Sequence, residues 1–246
     1  MTCIPCGHEV IGCPSGSDGC GVGGADVVRV SGCSSERAGV AGKVVVVGDS
    51  LVVEAKAAIE ARLPGARVVA RTGAAPCSLL ADAVAAAGSA DVVVLAFSGN
   101  DSFLAPCMTG ADYRIGGAYR DSYEAYAARI GTPKLRMALT PVWDNERASS
   151  SVSARDTAEA WATTRGVPVV DAAIGLGGDR YVAGARRHPG ESGSGSKSVV
   201  ALRAADRVHL CVAPEYDRGF TGPSCPAGSS AGVTRCAAGI ARAASS

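Results

Sequence analysis

Three separated stretches of this 246-residue chain carry the residue types that acyl transfer needs: Gly48-Asp49-Ser50-Leu51, Gly99-Asn100-Asp101 and Asp206-Arg207-Val208-His209. A serine hydroxyl is a poor nucleophile until a neighbouring base takes its proton, and an imidazole does so near neutral pH. A carboxylate beside that imidazole fixes its tautomer and stabilises the imidazolium. The oxyanion formed at the attacked carbonyl needs N–H donors, which a backbone amide at a strand-to-helix turn and an asparagine side chain can supply. Ser50 is therefore the candidate nucleophile, His209 the base, Asp206 its orienter and Asn100 an amide donor.

Each stretch also has a plain structural reading. Asp-Ser after a strand is a frequent helix N-cap, Gly-Asn-Asp is common turn composition, and an acid and a histidine three apart meet on any helical turn. The case for chemistry rests on where the elements bring the three together. Lys43 to Val47 reads as a buried parallel strand leading into the turn that carries the serine, and the following residues read as a helix. Further apolar strands are expected at 66–71, 91–97, 134–140 and 167–171 beside the first at 43–48. Helices are expected at 51–63, 78–88, 119–130 and 151–165, with a last amphipathic one over 231–244.

Strands apolar on both faces, alternating with helices, imply a parallel sheet covered on both sides. Right-handed crossovers then make a flavodoxin-like three-layer α/β/α sandwich, its five-stranded parallel sheet in the order 2-1-3-4-5. In that order the strands ending at Ser50 and at Asn100 are neighbours at the topological switch point, where open α/β sheets place their sites. Residues 102–118 and 175–198 read as loops on their glycine and proline content. Residues 1–42, rich in Gly, Ser and Cys and without periodicity, read as a poorly ordered extension apart from the 43–246 body.

The blocks Gly48-Asp49-Ser50-Leu51, Gly73 after the second strand, Gly99-Asn100-Asp101 and Asp206-Arg207-Val208-His209, taken together and in order, resemble the SGNH (GDSL) hydrolase superfamily. Arg71-Thr72-Gly73-Ala74-Ala75-Pro76-Cys77 and Leu95-Ala96-Phe97-Ser98 resemble its small secreted actinobacterial members. The resemblance covers residues 43–246. It implies a catalytic Ser50, His209 and Asp206, and an oxyanion hole of the Ser50 N–H, the Gly73 N–H and the Asn100 amide. It implies a serine esterase acting on small or carbohydrate-linked acyl esters, with no cofactor. The same acyl-enzyme would serve an O-acyltransferase that passes the group to a sugar hydroxyl, and a non-catalytic binding module with a relic site is the third reading.

Composition narrows the partners. Lys+Arg 24 against Asp+Glu 23 leaves a net charge of +1, with no basic surplus for nucleic acid. No apolar run approaches the ~20 residues of a membrane span. A monomer acting on a small-molecule or glycan ester is expected. The ten cysteines favour an oxidising compartment, hence secretion or the cell envelope, although no signal peptide is visible at the N-terminus. Cys77 with Cys107, and Cys211 with Cys225, fall in loops near the expected site and are expected to bridge. Cys236 is left over on the last helix. Cys3-x2-Cys6-x-His8 lacks the second close pair of a zinc site, so no metal is expected. His188 reads as a solvated loop histidine. Trp143, after the fourth strand, either lines the cleft or anchors its loop.

Overall fold

A computed structural model describes residues 42–100, 107, 115–143, 148–173, 208–210 and 231–246. The first strand, β1 (Val44–Gly48), opens with four valines whose branched Cβ atoms favour extended backbone. It runs into α1 (Ser50–Arg62), followed by β2 (Arg67–Ala70), α2 (Pro76–Ala87), β3 (Val92–Ala96), α3 (Ile115–Ile130), β4 (Leu135–Leu139), α4 (Ala148–Arg165), β5 (Val169–Asp171) and α5 (Ala231–Ala244). The five strands pair in the order β2-β1-β3-β4-β5, and every pairing is parallel. This is the expected sheet.

Alternation along the strands divides the core in two. Val45, Val47, Val93 and Leu95 pack with Leu79 of α2, Tyr119, Tyr123 and Tyr126 of α3, and Trp161 of α4. Val44, Val46, Val94 and Ala96 pack with Leu51 and Ile59 of α1 and Ala237 and Ile240 of α5. Each fully buried valine or leucine contributes about 1.5–3 kcal/mol of transfer free energy. Among the described residues, two helices on one face and three on the other complete the three layers.

The element bounds differ from expectation in informative places. α3 begins at Ile115, so Gly116 and Gly117, assigned to a loop over 102–118, lie inside a helix. Glycine disfavours a helix by about 1 kcal/mol per residue. Tyr119, Tyr123 and Tyr126, spaced three and four apart and fully buried, outweigh that penalty by packing. α2 starts two residues early because Pro76 suits a first helical turn. α5 has the expected bounds. The extension before residue 42, the loop over 175–198 and His188 lie outside the described residues.

Candidate active site

The sheet positions the site through one register. β1 and β3 pair with Gly48 opposite Ala96, so the chain leaves both strands at the same height. Asp49 and Ser50 follow Gly48, and Ser98, Gly99 and Asn100 follow β3. Asp49 is the N-cap of α1, its Oδ1 accepting from the Leu51 N–H at 3.2 Å, as the structural reading of Asp-Ser anticipates. Ser50 is the first residue of the helix and is 4% exposed. Its N–H therefore lies among the uncommitted amides of a helix N-terminus, where the dipole favours negative charge.

Asp49 is more than a cap. Its Oδ2 accepts from the Ser98 N–H at 2.6 Å, the Ser98 hydroxyl at 2.7 Å and the Asn100 Nδ2 at 3.3 Å. This fully buried carboxylate ties the end of β1 to the exit of β3. Burial raises its pKa above the usual 3.8, while the Ser98 and Leu51 hydrogen bonds and the charge of His209 pull the other way. The Trp143 indole donates to the Ser98 hydroxyl at 3.2 Å. Trp143 is buried, and its backbone N–H donates to Ser151 Oγ at 3.1 Å, so it anchors its loop rather than lining a cleft.

Asn100 is buried, and its Nδ2 also donates to the Ala74 carbonyl at 2.9 Å. Both amide hydrogens are thus directed at the protein. The bond to Asp49 is the longer one. The Asn100 carbonyl accepts from the Tyr119 hydroxyl at 3.2 Å, which ties it to α3. Gly99 has φ +120°, and a Cβ there would stand 2.6 Å from Ser151 Cα, so only glycine lets the exit of β3 pass so close to α4.

Gly73 sits in the turn between β2 and α2 with φ +73°, a left-handed conformation suited to glycine. That turn is fastened by the Arg71 N–H on the Gly48 carbonyl at 3.3 Å and by the Asn100 bond to Ala74. Cys77, in the first turn of α2, is disulfide-bonded to Cys107. This expected bridge links the element after Gly73 to the segment after Asn100. Cys211 and Cys225, the other expected pair, lie outside the described residues, and Cys236 is buried on α5 as expected.

His209 returns to the same region from the far end of the sequence. Its side chain is 15% exposed, and Nε2 stands 3.8 Å from Glu54 Oε1. The adjacent Leu210 N–H donates to Glu54 Oε2 at 2.7 Å. Glu54 is on α1, one turn beyond Ser50, and its side chain is fully buried. The structure thus gathers Ser50, Asn100 and the Gly73 turn around Asp49, and holds His209 against the helix that Ser50 begins. Asp206, Asp101 and the cysteines and His8 of the N-terminal stretch lie outside the described residues. Sequence reasoning missed Glu54, Ser98 and the hub role of Asp49. The available signal for Glu54 was a lone acid among α1 positions 51, 52, 55 and 59, the buried stripe.

The fold is similar to that of a solved protein. A lipase/acylhydrolase from Enterococcus faecalis aligns at TM-score 0.51 and 17% identity, over 81% of this chain and 93% of that one. The C-terminal catalytic domain of a peptidoglycan O-acetyltransferase from Streptococcus pneumoniae aligns at 0.48 and 16%, over 82% and 91%. A GDSL-like lipase from Bacteroides thetaiotaomicron aligns at 0.47 and 17%, over 82% and 87%. The first of these likenesses shows that the chain has the fold of the Enterococcus lipase/acylhydrolase. No family model matches the chain, and no curated protein sequence matches it.

Proposed function

We propose that this chain is a serine esterase of the SGNH (GDSL) type, hydrolysing small acyl or carbohydrate-linked esters through an acyl-enzyme on Ser50. The observation that carries the reading is the convergence of Ser50, the Gly73 turn and Asn100 on the β1/β3 switch point, with His209 on the same helix wall. Ser50 Oγ attacks the ester carbonyl while His209 takes its proton. His209 then gives that proton to the leaving alcohol, and water repeats the sequence to release the acid. Asp206 is assigned the imidazole's orientation. The Ser50 N–H, the Gly73 N–H and the Asn100 Nδ2 are assigned the oxyanion, with Asn100 relinquishing its longer bond to Asp49 as charge develops. Export belongs to this reading and is supported by the Cys77–Cys107 bridge, since disulfides persist in oxidising compartments. Among the described residues no helix is long and apolar enough to cross a membrane.

The test is a panel of p-nitrophenyl esters of increasing acyl length together with acetylated xylan, each with and without an excess of unacetylated glycan. Release of free acid from the short esters, lost in Ser50→Ala, is the expected result. Acyl groups appearing on the added glycan instead of in water would replace the esterase with an acyltransferase. Binding of acetylated glycan without turnover by the parent would sink both in favour of a binding module.

A further inference from the structure

Glu54 is an expensive residue to keep where it is. A carboxylate with no exposed side-chain surface, among the buried apolar positions 51, 52 and 55 of α1, is strongly disfavoured unless its charge meets a partner. Its two oxygens face the same short segment. Oε2 accepts the Leu210 N–H at 2.7 Å, and Oε1 stands 3.8 Å from His209 Nε2. Leu210 is itself 1% exposed and packs in the cluster that includes Leu51, Val52, Val233 and Cys236.

Ser50 and Glu54 are four residues apart on one helix, and residues at that spacing lie one above the other on the same face. An imidazole nitrogen held against Glu54 is therefore held against the face that begins with Ser50. We propose that Glu54 is a positioning residue for His209: its carboxylate pins the 208–210 segment to the nucleophile's helix and raises the basicity of the imidazole. This inference rests on the esterase reading for its catalytic consequence, but the pairing itself is testable without turnover.

Other ionisable groups bear on His209. Asp49, at the start of α1, lies within its electrostatic reach. On α5, which packs on α1, Cys236 shares the apolar cluster with Leu210, and Arg235 precedes it.

Glu54→Gln keeps an oxygen for the Leu210 N–H and removes the charge, whereas Glu54→Leu removes both. Histidine NMR titration is simple here because the chain has three histidines, and the His209 signal is the one absent from His209→Gln. In Glu54→Gln the His209 pKa should fall, the effect of losing an opposite charge 3.8 Å away. The acid limb of kcat/KM should move to lower pH by the same amount. In Glu54→Leu, fluorophosphonate labelling of Ser50 should slow by roughly tenfold to a hundredfold, as the imidazole drifts from its place, with Glu54→Gln retaining most of the rate. An unchanged His209 titration in Glu54→Gln overturns the proposal, whatever the activity. An intact NMR shift in a parent protein that hydrolyses no ester would leave the pairing standing and remove the esterase reading instead.

Discussion

Gly48 offers the sharpest test of how the strand register serves the site. Built on the existing backbone, a methyl at position 48 would overlap both Val52 Cγ2 on α1 and the backbone carbonyl oxygen of Ala96 on β3, and would stand 2.9 Å from Val52 Cβ. The valine is a side chain and can be trimmed. The carbonyl belongs to the strand paired with β1 and cannot give way without moving the exit of β3. Overpacking of this kind costs about 1–3 kcal/mol, a large part of the roughly 5–15 kcal/mol that holds a domain folded. With a urea slope of about 2 kcal/mol/M, each ~2 kcal/mol lowers the unfolding midpoint by roughly 1 M. Because Ser50 lies two residues on, the displacement should also reach the nucleophile, and a misplacement of about 1 Å costs roughly a hundredfold in rate.

The assay is urea unfolding of Gly48→Ala alongside its rate of serine labelling by a fluorophosphonate. The double variant Gly48→Ala/Val52→Ala separates the two overlaps. Relief of the valine contact should appear as a favourable coupling of about 0.5–3 kcal/mol between the two substitutions. The labelling rate should nevertheless stay below the parent's, because the Ala96 carbonyl is still in the way. A Gly48→Ala protein with the stability and labelling rate of the parent would refute the reasoning.

Asn100→Ala should lose roughly a hundredfold or more in turnover if its amide serves the oxyanion. It should also lose about 1–3 kcal/mol of stability by urea unfolding, because the buried Ala74 carbonyl and Asp49 lose a donor. Breaking the 77–107 bridge by Cys77→Ser/Cys107→Ser frees a loop with a sequence separation of 30 and should lower stability by about 2–4 kcal/mol in non-reducing denaturant titrations. Asp49 gives a pH signature. Burial raises its folded pKa above 3.8, so the folded state holds the proton more tightly than the unfolded chain does, and this group's contribution to stability falls as pH rises upward from about 3.8. The stability of the parent relative to Asp49→Asn should therefore be greater near pH 3.5 than near pH 6.5 by urea unfolding, and the reverse order would contradict the assignment.

The sheet order was legible because β-branched runs at 44–47 and 92–94 alternate with Ala-rich helices, a signal that is local and survives without any tertiary contact. The start of α3 was not legible, because local glycine propensity at 116 and 117 is overruled by three tyrosines that bury only once the second layer has assembled. The site divides along the same line. Ser50 and Asn100 announce themselves by residue type at the end of a strand. The hub at Asp49 needs Ser98, some fifty positions away, and reads as a simple cap until β1 and β3 are paired. Glu54 is hidden further still. Its partner in the backbone is 156 residues distant, and only its place among the buried positions of α1 sets it apart from a surface acid on a helix. Asn100 shows the converse: its identity was plain, but not its commitment to Ala74 and Asp49, which gives it a structural part in the hub.

The central claim is that one serine hydroxyl, activated by an imidazole from the far end of the chain, forms the covalent intermediate. Mass spectrometry of peptides after treatment with a fluorophosphonate measures this directly. A single adduct on Ser50, absent from Ser50→Ala and formed far more slowly in His209→Ala, is the expected result. An adduct on another residue, or a labelling rate in His209→Ala equal to that of the parent, would contradict it.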